Sequence, residues 1–375
     1  MASGLHRWLI MGLLCVARVG DAAEDVSSVL SPIREKHGMP GMAGAVVTSR
    51  GLEAVGCTGV RKRGESVAVT GDDLWHLGSC TKAMTATVVG LLVEQGKLRW
   101  DGTMGDVFPR MAGDFHEGYR PVTVAQVLSH RAGLPENLRW GSFAGDDGIA
   151  NKRLAVVEEA LGSEPSYEPG TRAQYSNAGY VIAGAAIEQI TGKAWEEIIR
   201  EWLFVPLGMG SAGFGGVGTP GEIDQPWGHR ADGTPVPRNG SANDNVPVMG
   251  PAGRVHCTIQ DWAKFVADQL RGARGGDGVL KAATYRELQE PGRGGEMAKG
   301  WIALERPWGG GRVLHHAGSN TMNYANVWIA PARDFAVMVC VNQGGDAAFK
   351  ATDEAVGAMI GWMSQRANAK GQNHR

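Results

Sequence analysis

Two short apolar runs near the start of the chain, "MAGAVVTS" and "LEAVGCTG", are separated by Arg50-Gly51 and read as a β-hairpin. A second, strongly apolar pair near the other end, "YANVWIA" and "FAVMVCV", flanks the turn "PARD" and reads the same way. Between them the apolar spacing becomes helical in "TVAQVLSH", "RLAVVEEALG", "AGYVIAGAAIEQITG", "AWEEIIREWLF" and "TIQDWAKFVADQL". A further helical pattern runs from about 347 to 362, and the polar residues 366–375 beyond it predict a mobile tail. Strands at both ends with helices between them predict an α+β fold: one antiparallel sheet built from both termini, flanked by helices, with a largely helical lobe inserted. The expected division puts an α/β lobe at about 24–78 and 296–365 and the helical lobe at about 79–295. A small-molecule cleft is expected between the two.

Composition narrows the partners. With 43% hydrophobic and 20% charged residues the chain reads as globular, and 375 residues are many for one compact core, in keeping with two lobes. The net charge of -2 comes from charges mixed along the chain, so no basic stripe suits a phosphate backbone and nucleic acid is not an expected partner. The 56 glycines are spread out rather than periodic, which indicates many loops.

Residues 1–22 have signal-peptide anatomy: Arg7, an apolar run over 8–17 too short to span a bilayer, then small residues around Gly20-Asp21-Ala22. Export to the periplasm or medium is expected, without a stable membrane span; an uncleaved amphipathic helix is the alternative. Leu14 is too large for lipid attachment at Cys15. The remaining Cys57, Cys80, Cys257 and Cys340 are even in number, which permits disulfides, while their wide spacing among apolar neighbours fits buried free thiols equally. There is no C-x-x-C and no zinc-like spacing, so no metal is expected, and no organic cofactor is expected either, since the chain carries candidate nucleophile, proton-carrier and oxyanion groups of its own.

The chemistry begins at "LGSCTKAM", residues 77–84. From Ala83 to 93 nearly every residue is apolar and the run stops at Gly96-Lys97, so a buried helix is predicted with Ser79 in its first turn. Residues three apart share a helix face, which sets Lys82 against Ser79 and turns Cys80 away. A desolvated ammonium holds its proton less tightly and can serve as a base for the hydroxyl, while the helix N-terminus offers a backbone N–H to an oxyanion. One Ser-x-x-Lys is weak evidence in a chain of this length. It is strengthened by "QYSNAGY", which places Tyr175 and Asn177 on a loop before a helix, and by "LHHAGSN", which places His316 and Gly318 at the edge of a strand where glycine admits a closely paired substrate. Separately these read as a capping loop and a surface turn. Other features are set aside: "GFGGVG" fits G-x-G-x-x-G but Pro220-Gly221 follow where a helix should start, Asp72 and Asp73 read as loop charges, and Trp227, Trp301 and Trp308 read as packing.

These three motifs in order, with "VLSHRAGLP", "FVPLGM" and "PAGRVHCTIQDWAKF", resemble the serine β-lactamase and penicillin-recognising family over roughly 33–343. In particular the sequence resembles the branch of class C β-lactamases, D-stereospecific peptidases and family VIII carboxylesterases. The resemblance implies a β-lactamase/transpeptidase-like fold and an acyl-enzyme mechanism. Ser79 would attack a carbonyl, Lys82 and Tyr175 would move the proton, and the backbone N–H groups of Ser79 and Ser319 would form the oxyanion hole. Asn177 matches the position that contacts a substrate acylamino group, and Asn137 stands where class C enzymes often carry glutamine. The departure is His316-Ala317-Gly318 in place of Lys-Thr-Gly. A histidine is only partly charged near neutral pH, so capture of a substrate carboxylate should weaken, although His316 could still hydrogen-bond Tyr175. His315 should point to the opposite face of the strand as a structural residue. The expectation is an exported serine hydrolase of an ester, an amide or a peptidoglycan-derived substrate, with weak or no β-lactamase activity. A catalytically silent penicillin-binding or sensor module, and a thiol enzyme using Cys80, are the alternatives.

Overall fold

The computed structural model describes residues 22–145, 147–238, 244–292 and 295–372. The expected signal segment, apart from Ala22, lies outside the described residues. Ten strands are described: β1 Glu24–Asp25, β2 Gly41–Thr48, β3 Gly51–Gly59, β4 Trp75–His76, β5 Gly213–Phe214, β6 Val255–Cys257, β7 Ile302–Arg306, β8 Gly311–Ser319, β9 Tyr324–Ala330 and β10 Phe335–Val341. Seven described helices have eight or more residues: α1 Ser27–Lys36, α2 Thr81–Glu94, α3 Ile149–Gly162, α4 Asn177–Thr191, α5 Ile259–Ala273, α6 Ala282–Gln289 and α7 Asp346–Gln372.

The main sheet has the order β1-β3-β2-β10-β9-β8-β7 and is antiparallel except for the short parallel pairing of β1 with β3. Both expected hairpins are present, β2 with β3 and β9 with β10, and the two chain ends meet where β10 pairs with β2, Val337 opposite Val46. Both faces of these central strands are covered. Met42 and Val46 of β2 join Val337 and Val339 of β10 in a core with Leu30 of α1 and Ala351, Ala355 and Met359 of α7. Ala43, Ala45, Ala336 and Met338 face the other way, into a larger core with α2, α4 and α5. Burial on both faces is why these strands read as continuous apolar runs instead of alternating ones.

Three elements differ from expectation. The last helix continues to Gln372, through most of the stretch read as a polar tail. A second, small sheet of order β4-β6-β5 forms from pieces too short to show a period. In "AWEEIIREWLF" the helix Trp195–Ile199 passes into a π-helical turn, Arg200–Phe204. Helix α5, capped by the Thr258 side chain accepting the Asp261 N–H at 3.2 Å, packs against β2, β3 and β10 although it falls within 79–295.

Candidate active site

Strand β4 delivers the chain to the site. Its pairing with β6 continues as the Leu77 N–H donates to the Val255 carbonyl at 2.9 Å, after which Gly78–Cys80 form one tight 3-10 turn running into α2. The turn rests directly on β8. Gly78 has φ +49°, and a Cβ there would lie 2.3 Å from the Ser319 nitrogen; a Cβ on Gly318 would lie 2.1 Å from the Leu77 oxygen and 2.6 Å from the Ser79 nitrogen. Only glycine fits at either position, so two backbones interlock and bring Ser79 beside Ser319. The sequence suggests that Gly318 makes room for a substrate; in the structure it makes room for the turn that carries Ser79. Beyond His315, the last β8 residue paired with β7, His316 to Ser319 pair on the β9 side, leaving this end of the strand open next to Ser79.

Lys82 is fully buried on the second turn of this helical run. Its ammonium lies 3.1 Å from Ser79 Oγ, 2.8 Å from Asn177 Oδ1 and 2.6 Å from the Ala252 carbonyl, one acceptor for each proton. Burial lowers its pKa from 10.5 to about 7. Lysine therefore sits near its midpoint at neutral pH. Tyr175 stacks on His130, ring centroids 4.5 Å apart, and burial pushes its phenol above the usual value against a hydrogen bond with Ser79. It stays protonated where Lys82 does not.

Asn177 is the first residue of α4, not a loop residue, with Ser176 as N-cap. Its Oδ1 accepts from Lys82 and its Nδ2 donates to Asn137 Oδ1 at 2.9 Å, which also accepts from Trp140 Nε1 at 3.1 Å. Asn137 thus reaches the site from the opposite, exposed side. His316 is 4% exposed, and burial, with Lys82 next, holds it at about 3. It is neutral, not partly charged. Its Nδ1 lies 2.7 Å from the Ala317 carbonyl, which can only accept, so the ring proton is there and Nε2 is left as an acceptor. The Tyr175 ring centroid is 6.5 Å away. His315 faces the other side, stacked on Trp328 at 4.0 Å between centroids.

The bystanders separate cleanly. Cys80 is 2% exposed with its Sγ 3.7 Å from the His316 carbonyl, and burial raises its thiol pKa, the opposite of a thiol nucleophile. All four described cysteines are free. Asp73 lies on a loop as expected but is not a surface charge: fully buried, it pairs with Arg61 at 2.5 Å and accepts the Thr70 N–H. The run "GFGGVG" itself begins with the two-residue strand β5, and no described helix opens there. Trp227 and Trp301 are buried, and Trp308 packs on Trp328 at 5.8 Å. Among the described residues no three His, Cys, Asp or Glu side chains gather as for a metal, and no helix is long and apolar enough to cross a membrane.

Two contributors lacked a local signal. His130, at φ +58°, accepts the Ser176 N–H on Nδ1 at 3.0 Å and forms the floor under Tyr175. The Ala252 carbonyl reaches Lys82 from a short helical turn, Gly250–Gly253. Both lie inside quoted phrases, "VLSHRAGLP" and "PAGRVHC", yet only tertiary structure brings them to the lysine.

A two-terminus sheet, an inserted helical region and a Ser-Lys-Tyr cluster on the sheet's open strand define the β-lactamase/transpeptidase-like class. The chain belongs to the beta-lactamase family of serine hydrolases, which it matches over residues 26–359. It is 29% identical over 338 residues to penicillin-binding protein 4 of Amycolatopsis lactamdurans, covering 83% of each chain. It is 30% identical over 280 residues to the unguisins hydrolase ungD' of Aspergillus campestris, covering 71% of this chain and 50% of that one, so it spans about half that hydrolase's length. A crystal structure of a beta-lactamase from Sulfitobacter sp. EE-36 superposes with a TM-score of 0.71 at 20% identity over 90% of this chain and 96% of that one, a likeness of fold.

Proposed function

We propose that this chain is an exported serine hydrolase that cleaves esters or amides through an acyl-serine intermediate. The observation that carries the reading is the Lys82 ammonium, fully buried, 3.1 Å from Ser79 Oγ, with a pKa of about 7. Neutral Lys82 takes the Ser79 proton as Oγ attacks the carbonyl carbon. The backbone N–H groups of Ser79 and Ser319, on the two interlocked segments, stabilise the oxyanion. Tyr175, kept protonated, passes a proton to the leaving group as its bond to the carbonyl breaks, and Lys82 restores that proton. Water then repeats the sequence on the acyl-enzyme. Asn177 and Asn137 hold the acyl side of the substrate. Neutral His316 gives no cation to a leaving-group carboxylate, which favours esters and neutral amides over β-lactams. The relatives include a penicillin-binding protein and an unguisins hydrolase, in keeping with this reading, and the signal-like residues 1–22 support export.

The test is turnover of p-nitrophenyl butyrate, a D-alanyl peptide and nitrocefin by wild type, Ser79→Ala and Cys80→Ala. Ester or peptide turnover exceeding that of nitrocefin, abolished in Ser79→Ala and kept in Cys80→Ala, is expected. Full activity in Ser79→Ala would refute the assignment. Acylation of wild type by a penicillin probe, without turnover of any of the three, would mark a binding module instead.

A further inference from the structure

Behind the nucleophile turn lies a polar network that the acylation chemistry does not use. His76, 4% exposed, ends β4 two residues before Gly78, and its Nδ1 accepts the Gly78 N–H at 3.1 Å. That bond needs a lone pair on Nδ1, so the ring proton resides on Nε2. Nε2 lies 2.7 Å from Asp244 Oδ1, although the N–H is not aligned on the oxygen. The Asp244 side chain is only 5% exposed and its Oδ2 is 2.7 Å from Arg254 Nε. Asn320 Nδ2 approaches Oδ1 at 3.4 Å. A buried carboxylate thus faces the nitrogen that must keep the proton.

We propose that His76, its tautomer set by Asp244, is a positioning residue for the nucleophile turn, anchoring Gly78 so that the Ser79 N–H is aimed at the developing oxyanion. The inference rests on the acyl-serine reading above. The backbone holds the neighbours of Gly78 itself: the Leu77 N–H donates to Val255 at 2.9 Å and the Cys80 N–H to Leu77 at 3.1 Å. The Gly78 carbonyl accepts the Thr81 N–H, but the N–H of Gly78, at φ +49°, is secured by a side chain. Glycine populates either sign of φ with little preference, so this residue is where the turn can rotate. The Ser79 peptide N–H follows directly, and its direction depends on the Gly78 dihedrals. Without the imidazole, a buried N–H loses its acceptor and the turn relaxes away from the geometry that β8 faces.

Two substitutions separate positioning from packing. His76→Asn puts an amide oxygen near the place of Nδ1 and restores the acceptor as an Asx turn, while His76→Phe keeps a ring and removes the acceptor; both lose the contact to Asp244. With p-nitrophenyl butyrate, His76→Phe should lower kcat by roughly 10- to 100-fold at nearly unchanged KM. His76→Asn should remain within roughly fivefold of wild type. Wild-type kcat in His76→Phe, or an equal loss in both variants, overturns the proposal. Should His76→Phe not fold, as judged by circular dichroism, Asp244→Asn removes the charge that holds the tautomer. It should lower kcat roughly three- to tenfold, and an unchanged kcat overturns the proposal equally. Turnover that is lost in Ser79→Ala but indifferent to His76→Phe refutes the positioning role alone. Full turnover in Ser79→Ala refutes the reading beneath it.

Discussion

Lys82 links catalysis to stability through a single proton. Burial holds it at about 7 in the folded chain against an ordinary 10.5. Between those values the unfolded chain binds the proton and the folded chain releases it, so the unfolded state carries more protons and stability rises with pH. The contribution is complete above about 10.5 and is lost as pH falls to about 7. Above about pH 9 the buried thiols of Cys257 and Cys340, whose pKa values are raised, act in the opposite sense, so pH 7 to 9 is the informative interval. Over it, integration for one lysine gives about 2 kcal/mol. Lys82→Met keeps a flexible chain without the titrating group, and groups that do not feel Lys82 cancel in the difference; His130 and His316, which do, are neutral throughout this interval. Urea unfolding at pH 7 and 9 should show wild type gaining about 2 kcal/mol relative to Lys82→Met. The same proton should appear in kinetics. As the base must be neutral, kcat/KM for an ester should rise with pH through a midpoint near 7. Parallel stability curves for the two proteins, or a flat kcat/KM from pH 6 to 8 in an active enzyme, would refute the reasoning.

Two further outcomes test the scaffold. Gly318→Ala would set a Cβ 2.1 Å from the Leu77 oxygen and force β8 off the nucleophile turn; ester turnover should fall by roughly 100-fold and the melting temperature should drop, both readable on one purified sample. Asp73→Ala removes the buried partner of Arg61, whose side chain is 17% exposed, and should cost about 3–5 kcal/mol in urea unfolding while leaving kcat per folded molecule unchanged.

The order of elements was legible because each rests on a local period: both hairpins, α2 and α4 each announce themselves within fifteen residues or so of chain. Lys82 facing Ser79 was legible for the same reason, helical phase alone placing them together. Chemistry assembled across the chain was not. No local pattern links Ala252 or His130 to the lysine, and β4, β5 and β6 are two or three residues each, too short for alternation to register. The burial of Asp73 is not legible, because its charge and flanking turn residues look exposed. Its burial depends on Arg61, twelve residues away on the other side of a bend, and pairing across such a distance carries no period.

His316 and Lys82 share one low-dielectric cleft, which constrains what can stand at either place. In the proposed mechanism Lys82 can serve as a base because burial brings its pKa down to about 7 while three acceptors keep it in place. A second ammonium at position 316 would repel it and lower both pKa values further, and the pair would have to be compensated by an anion from the substrate. A neutral imidazole removes that need. It also removes the means of holding a carboxylate, and more sharply than loss of charge alone implies: with Nδ1 committed to the Ala317 carbonyl, the ring presents an acceptor, which repels an anion. Recognition then passes to uncharged groups, the amides of Asn177 and Asn137 and the open end of β8, all of which can address a carbonyl without asking for a charge beside it. On the proposed reading an ester or neutral amide meets those terms, whereas a β-lactam brings a carboxylate for which neutral His316 offers no cation.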